Sequence, residues 1–357
     1  MSAGPVLIMA GGTGGHIFPG IAVARALLAR GERVLWLGSL GGLESRIVPA
    51  AGLPFEGVTI GGVRGKGWTT RLAAPFRLLR AILAARRVIA RARPRSALAL
   101  GGFASGPGGV ACRLAGVPLL VHEQNRVPGL TNRVLAKLAR RVLAGFPDAF
   151  PAAEHVGNPV RAEIAAIAPP AERFAREAGP LRVLVLGGSQ GARALNRAVP
   201  AALATLAADT KLVVRHQTGA KLHAEAQAEY AKTTLDARVE PFIDDMAAAY
   251  AWADLVVCRA GALTLAELCA AGVGSVLVPY PHAVDDHQTR NAAFLVDCGG
   301  ALLVPESDAL ADALLGALRG ILAAPGKLLA MAEAARAQAR PDAAERIAGL
   351  CLAEARA

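Results

Sequence analysis

Two glycine turns and one histidine carry the chemistry that this sequence offers first. The run VLIMAGGTGGHIFPG (Val6–Gly20) takes a short apolar stretch into a glycine turn holding Thr13, Gly14, Gly15 and His16, ahead of a helix expected from Ile21. N–H groups exposed by glycines, together with the positive end of a helix dipole, make such a turn an anion site of phosphate size. Half a chain later VLVLGGSQGA (Val183–Ala192) repeats the pattern with Ser189 in the turn and a helix from about Leu195. Imidazole titrates near neutral pH, so His16 is a candidate general base or phosphate ligand; the bland alternative is a histidine that only hydrogen-bonds at a helix start.

Further along, Asn125 follows a strand end in HEQN (His122–Asn125), the edge at which α/β sheets bind ligands. Arg161 in GNPVR has the planar fork that suits a diphosphate, and a surface salt bridge is its alternative. Ala262, Leu263, Thr264, Leu265, Ala266 and Glu267 open a helix after the strand Leu255–Cys258. Thr264 and Glu267 stand three apart, so a capping box is the structural alternative there. Asp285 and Asp286 are adjacent acids of the kind found in solvated turns; no Asp-x-Asp motif accompanies them and no metal is expected. The dinucleotide fingerprint is missing, since its third glycine position falls on Ile17, and neither turn supplies the lysine of a P-loop NTPase. Hydride transfer and ATP hydrolysis therefore recede.

These turns need strands and helices to hold them. Strands are read at Val6–Ala10, Arg33–Gly38, Phe55–Ile60, Ala97–Leu100 and Pro118–His122, then at Leu181–Leu186, Leu212–His216, Val239–Pro241, Leu255–Cys258 and Ser275–Val278, with helices between them. Strands alternating with helices over short links predict doubly wound parallel sheets, and two similar halves predict two Rossmann-like domains facing a central cleft. The expected boundaries are 1–160, 161–338, and a C-terminal helix at 339–357 returning to the first domain. A chain of 357 residues, 54% hydrophobic and 19% charged, is long enough for two globular cores. Its five scattered cysteines form no C-x-x-C pair, which argues against a disulfide framework or zinc site and for a reducing compartment. No secretory leader or membrane span is read.

The net charge is +11, and ten basic residues with no acid lie between Gly57 and Arg95. Leu72, Phe76, Leu79 and Leu83 fall at helical spacing within Arg71–Arg91, and Arg77 and Arg80 fall on another face. A loop with Arg64, Lys66 and Trp68, followed by Arg71, Leu72, Phe76, Arg77, Leu79 and Arg80, reads as a membrane-contact segment for an anionic surface. A solvated helix covering the sheet is the plain alternative, and no nucleic-acid motif is present.

GGTGGHIFPG, LGGFASGPGG, HEQNRVPGLTNR, GNPVR, GGSQGARALN, CRAGALTLAEL and DDHQTRNA occur in this order between Ala10 and about Ala292. Together they resemble the MurG family, the UDP-N-acetylglucosamine transferases of peptidoglycan synthesis (glycosyltransferase family 28). Phe103 departs from the tyrosine often found there, so no polar role is assigned to it. The resemblance implies a GT-B fold and an inverting hexosyltransferase that needs no cofactor. It would transfer N-acetylglucosamine from UDP-GlcNAc to the 4-hydroxyl of the muramoyl sugar of the undecaprenyl-pyrophosphoryl-pentapeptide acceptor, lipid I. The implied donor contacts are Thr13, Gly14, Gly15, Asn125, Arg161, Ser189, Ile243 (through its backbone, to uracil), Ala262–Glu267 (Glu267 on the ribose) and Gln288 on the sugar, with His16 as catalytic residue. It also implies a peripheral protein on the cytoplasmic face of the bacterial inner membrane, with cell-wall synthesis and division proteins as partners. Another GT-B glycosyltransferase acting on a glycolipid, or a non-catalytic nucleotide-sugar-binding protein, are the rival expectations.

Overall fold

A computed structural model describes residues 4–59, 74–176, 179–188 and 190–355. The chain divides into two compact units, Met1–Val160 with Asp342–Ala357, and Arg161–Pro341.

In the first unit β1 (Val6–Ala10), α1 (Gly14–Ala29), β2 (Val34–Ser39), α2 (Glu44–Ala50), β3 (Phe55–Val58), α3 (Ala74–Ala92), β4 (Ser96–Gly101), α4 (Ser105–Leu114), β5 (Leu119–Glu123), α5 (Leu130–Ala136), β6 (Arg141–Ala144) and β7 (Glu154–His155) follow one another. The strands form one sheet in the order β3-β2-β1-β4-β5-β6-β7, with every pairing parallel. A parallel strand buried on both faces must be apolar throughout, and VLIMA in β1 is wholly buried. Val6, Ile8, Leu98 and Leu100 pack on one side of the sheet, where Ile17, Ile21, Ala24 and Leu27 of α1 cover them. Leu7, Met9, Ala97 and Ala99 face the other side with Ala85, Val88 and Ile89 of α3. The C-terminal segment adds a helix at Ala343–Ala353, whose Ile347, Ala348 and Cys351 join the α1 side.

Helix α1 starts at Gly14, seven residues before the expected Ile21, and runs through Pro19. Glycine and proline disfavour a helix, but Ile17, Pro19, Gly20, Ile21, Val23 and Ala24 are all buried on the sheet, and that packing outweighs local propensity. His16 is thereby a first-turn helical residue and not part of a loop.

The second unit repeats the plan with β8 (Leu181–Leu186), α8 (Arg193–Leu206), β9 (Leu212–Gln217), α9 (His223–Tyr230), β10 (Ala237–Glu240), α10 (Met246–Trp252), β11 (Leu255–Cys258), α11 (Ala262–Ala271), β12 (Gly274–Leu277), α12 (His287–Asp297) and β13 (Ala301–Leu303), preceded by the short helices α6 (Ala162–Ala165) and α7 (Pro170–Phe174). Its sheet order is β10-β9-β8-β11-β12-β13, again parallel. Leu310–Leu322 and Lys327–Ala337 are helices whose Leu314, Leu318, Ile321 and Met331 belong to this core. Among the described residues no single helix is long and apolar enough to cross a membrane.

In a doubly wound sheet the order reverses at one point, and ligands bind outside the carboxyl ends of the two strands that part there. The reversal falls between β1 and β4 in the first unit and between β8 and β11 in the second. Both glycine turns sit at these points.

Candidate active site

At the first reversal the turn after β1 meets the turn after β4. Gly102 has φ +89°, and a Cβ on it would lie 2.2 Å from the Gly11 carbonyl oxygen, so only glycine lets the two turns approach. The Ser105 hydroxyl lies 2.8 Å from the Met9 carbonyl and 2.7 Å from that of Gly101, which stitches the strand ends together. Thr13 occupies the cap position of α1 with extended backbone, and its carbonyl receives the N–H groups of His16 and Ile17. Thr13 and Gly15 are exposed and Gly14 half-buried.

The half-buried His16 ring is oriented by its Nδ1, 3.2 Å from the Gly11 carbonyl oxygen and 3.3 Å from Thr13 Oγ1. A carbonyl only accepts, so Nδ1 carries the proton and Nε2 keeps its lone pair. Gly101 lies beside Nε2, where an added Cβ would come within 2.9 Å of it; the missing side chain leaves that nitrogen uncovered on that side. Burial pulls the His16 pKa below its usual value, opposed by the charges of Glu123 and Glu44 and by the Gly11 bond. The ring is accordingly neutral at neutral pH, the state a base requires.

Glu123, at the end of β5, is buried, and its carboxylate takes the Asn125 N–H (2.9 Å) and side-chain amide (3.3 Å), the Gly129 N–H (3.1 Å) and the Asn132 amide (2.9 Å). Asn125 is thus held in place by Glu123. His122 is fully buried: its Nε2 donates to the Gly157 carbonyl at 2.9 Å, and its Nδ1 accepts from the Gln124 amide at 3.1 Å. Burial lowers its pKa to about 4. With Asn158 donating to the Gln124 carbonyl at 2.9 Å, the HEQN cluster fastens Gly157 and Asn158 to the end of β5.

At the second reversal Gly187 donates its N–H to the Gln217 carbonyl (3.0 Å) and Gly191 to that of Gly188 (3.0 Å). Ser189 lies outside the described residues. Helix α8 begins at Arg193, two residues before the expected Leu195. Across the reversal, α11 begins at Ala262 with Gly261 as its cap, so Thr264 and Glu267 lie inside the helix and the capping-box alternative falls. Ala262 and Leu265 are buried, whereas Leu263, Thr264, Ala266 and Glu267 are only half-buried.

Glu267 is the centre of a small network. One carboxylate oxygen accepts from Arg161 at 2.9 Å and the other from the Tyr250 hydroxyl at 3.1 Å. Burial raises the Glu267 pKa and Arg161 opposes that rise. Arg161 therefore serves an ion pair here, the alternative weighed for it above. Tyr250, fully buried, was not singled out from sequence, where nothing distinguishes it from an ordinary core aromatic.

Ile243 donates its N–H to Gln217 Oε1 at 3.1 Å, so a side chain fixes the backbone expected to read a base. Gln288, on the first turn of α12, accepts the Tyr280 N–H through Oε1 at 2.9 Å, which turns its amide nitrogen the other way. Among the described residues no three His, Cys, Asp or Glu side chains gather as a metal site would need.

Of the membrane-contact residues, Arg64, Lys66, Trp68, Arg71 and Leu72 lie outside the described residues. On α3, Phe76, Leu78 and Leu79 are 74%, 51% and 54% exposed, with Arg77 and Arg80 exposed among them. Leu114, at the end of the neighbouring α4, is 62% exposed and was not anticipated.

Two doubly wound sheets, each with a glycine turn at its reversal, define a protein of two Rossmann-like units. Residues 6–144 match the glycosyltransferase family 28 N-terminal domain and residues 182–347 the family 28 C-terminal domain. The chain belongs to glycosyltransferase family 28. It is 61% identical over 354 residues to the UDP-N-acetylglucosamine--N-acetylmuramyl-(pentapeptide) pyrophosphoryl-undecaprenol N-acetylglucosamine transferase of Xanthomonas campestris pv. campestris (strain 8004), covering 99% of this chain and 83% of that one. It is 60% identical to the protein of the same name from Xylella fastidiosa (strain Temecula1 / ATCC 700964), covering 98% and 97%. The crystal structure of Acinetobacter baumannii MurG superposes with a TM-score of 0.87 at 40% identity, covering 98% of this chain and 99% of that one.

Proposed function

We propose that this protein transfers N-acetylglucosamine from UDP-GlcNAc to the muramoyl 4-hydroxyl of the pentapeptide-bearing, undecaprenyl-pyrophosphoryl acceptor, turning lipid I into lipid II. The observation that carries the reading is His16 at the β1/β4 reversal, proton on Nδ1 and lone pair on Nε2, in a chain 61% identical to a transferase of that name. Nε2 takes the proton of the acceptor hydroxyl as its oxygen attacks the anomeric carbon, and the bond from that carbon to the UDP oxygen breaks. Attack from the face opposite UDP inverts the configuration.

The second unit supplies the donor contacts. The N-terminus of α11 and the second glycine turn, with Ser189, meet the charge that grows on the departing diphosphate. Glu267, held by Arg161 and Tyr250, accepts the ribose hydroxyls, the Ile243 backbone faces uracil, and Gln288 turns its amide toward the sugar. Arg161 contributes to the diphosphate site through its charge. In the first unit the proposed donor contacts are Thr13, Gly14, Gly15 and Asn125.

The acceptor is a membrane lipid, and the exposed apolar and basic face of α3 supports peripheral binding at the anionic cytoplasmic surface of the inner membrane. Radiolabelled UDP-GlcNAc with a lipid I acceptor tests the reaction directly. Transfer of label to the lipid is expected; bound donor without transfer would overturn the enzymatic reading.

A further inference from the structure

Beneath the first glycine turn lies a carboxylate that the proposed reaction does not use. Glu44, the first residue of α2, has no exposed surface. One of its oxygens accepts the Gly12 N–H at 3.0 Å; the other accepts the Ser39 N–H at 2.9 Å and the Ser39 hydroxyl. Its partners are N–H and O–H groups, and they hold its pKa below the usual carboxylate value in spite of burial. An ionised carboxylate is therefore enclosed under the turn. Three glycines make room for it: a Cβ would lie 2.3 Å from its Oε1 at Gly11, 2.6 Å from that oxygen at Gly42 and 2.7 Å from its Cγ at Gly38.

The peptide between Gly11 and Gly12 joins this anion to the histidine. A trans peptide is planar and points its N–H and its C=O in opposite directions. With the Gly12 N–H aimed at Glu44, the Gly11 carbonyl must aim away from it, and there it receives His16 Nδ1–H. An anion at one end of such a chain polarises the peptide and strengthens the bond at the other end. We infer that Glu44 is a positioning residue, which through the Gly11–Gly12 peptide fixes the tautomer and orientation of His16 and so leaves Nε2 as the free base. The pattern has the logic of a base oriented by a buried acid, with one peptide unit interposed.

The groups facing His16 come from several elements: Glu44 on α2, Glu123 at the end of β5, Thr13 ahead of α1, Gly101 at the end of β4 and, beside Gly101, Asn132 on α5. The two carboxylates both favour the imidazolium, so removing the Glu44 charge lowers the pH at which His16 protonates.

This inference rests on His16 acting as the base, and its test separates the two ideas. Nitrogen-15 NMR of histidine-labelled full-length protein reports which ring nitrogen bears the proton. In the wild type the His16 proton is expected on Nδ1; finding it on Nε2 overturns the proposal even if no variant folds. In Glu44→Gln the ring is expected to lose its single tautomer, and kcat to fall by roughly 10- to 100-fold, part of what general-base catalysis supplies. The acid limb of kcat moves to lower pH, and UDP affinity stays within about twofold. In a His16→Ala background the same Glu44→Gln change is expected to have no further effect on kcat. An unchanged tautomer in Glu44→Gln, or an equal further loss in the His16→Ala background, overturns the relay. Full turnover in His16→Ala alone sinks the base reading, while the tautomer measurement still decides the structural link.

Discussion

The two glycine turns share a sequence pattern and a place in their sheets, yet the structure backs them differently. Behind the first lies the Glu44 carboxylate, taking the Gly12 N–H from below, and its helix starts within the turn, so that His16 stands in the opening turn. Behind the second lies backbone: Gly187 donates to the Gln217 carbonyl, and a Cβ on Gly191 would lie 2.3 Å from the Thr218 carbonyl oxygen. Its helix begins later, at Arg193, and the charged network of that unit gathers across the reversal on α11, at Glu267. A glycine turn after a parallel strand is thus a scaffold with two settings. With an acid beneath it and a histidine on its helix it suits proton transfer; packed on neighbouring carbonyls it suits holding a ligand. The pattern alone does not say which.

The sharpest break of this comparison is His16→Ala. Turnover with the lipid acceptor is expected to fall by roughly 10²- to 10⁴-fold, the range of general-base catalysis, while calorimetric UDP-GlcNAc affinity changes by less than about threefold. Equal losses in both would make the first turn another binding loop and erase the distinction.

Buried histidines allow a second contrast between the units. His122 has partners on both ring nitrogens, whereas His216 has the Tyr230 hydroxyl on Nδ1 at 2.9 Å and, among the described residues, no partner on Nε2. Burial lowers their pKa values to about 4 and about 3. Both lie below the unfolded value, so between those limits and about pH 6.5 the unfolded chain binds more protons. Stability is therefore lost as pH falls through this window, by about 1.4 kcal/mol per pH unit for each histidine and on the order of 3 kcal/mol each at pH 4. Urea unfolding from pH 7 to pH 4 measures it, and replacing either histidine by Gln should remove one proton from the slope. An unchanged slope in both variants would show that neither histidine is kept neutral by the fold.

The rhythm of short apolar runs and glycine turns made the sheets legible, because a strand buried on both faces announces itself by composition. Helix α1 starts earlier than the glycine turn predicts, because Gly14, Gly15 and Pro19 disfavour a helix locally and the burial that overrides them is a tertiary fact. The residues proposed to face a ligand fell within recognisable motifs. Those that face other residues did not: Glu44 bonds Gly12 across 32 positions, Tyr250 bonds Glu267 across 17, and Gln217 bonds Ile243 across 26. For Glu44 a signal existed in the glycines at 38, 41 and 42, an unusual density around one acid. Tyr250 and Gln217 offer no comparable cue. The Arg161 pairing was open because an arginine fork suits a carboxylate as well as a diphosphate.

Glu267→Gln sharpens the comparison from the other side. It keeps the shape but removes the charge shared with Arg161 and weakens the acceptor offered to Tyr250. The donor KM is expected to rise by roughly 10-fold or more, consistent with a charge-assisted hydrogen bond, while the pH dependence of kcat stays that of the wild type. A shift in that pH profile would put Glu267 into the proton transfer and blur the division between the units.

A last contrast concerns the first unit's exposed surface on α3. Phe76, Leu78 and Leu79 project from α3 among Arg77 and Arg80, and Leu114 projects from α4 beside it. A basic residue near an anionic bilayer is worth about 1 kcal/mol, so Arg77→Glu with Arg80→Glu should weaken sedimentation with anionic vesicles by roughly 10- to 30-fold, less at higher salt. Transfer to a short-chain, water-soluble acceptor should stay the same, because these arginines are remote in sequence from both glycine turns and exposed. Loss of that activity would mean that the face supports the first turn's chemistry. Unaltered vesicle binding would mean instead that these arginines only solvate a helix covering the sheet, which is how an amphipathic helix on a parallel sheet ordinarily behaves.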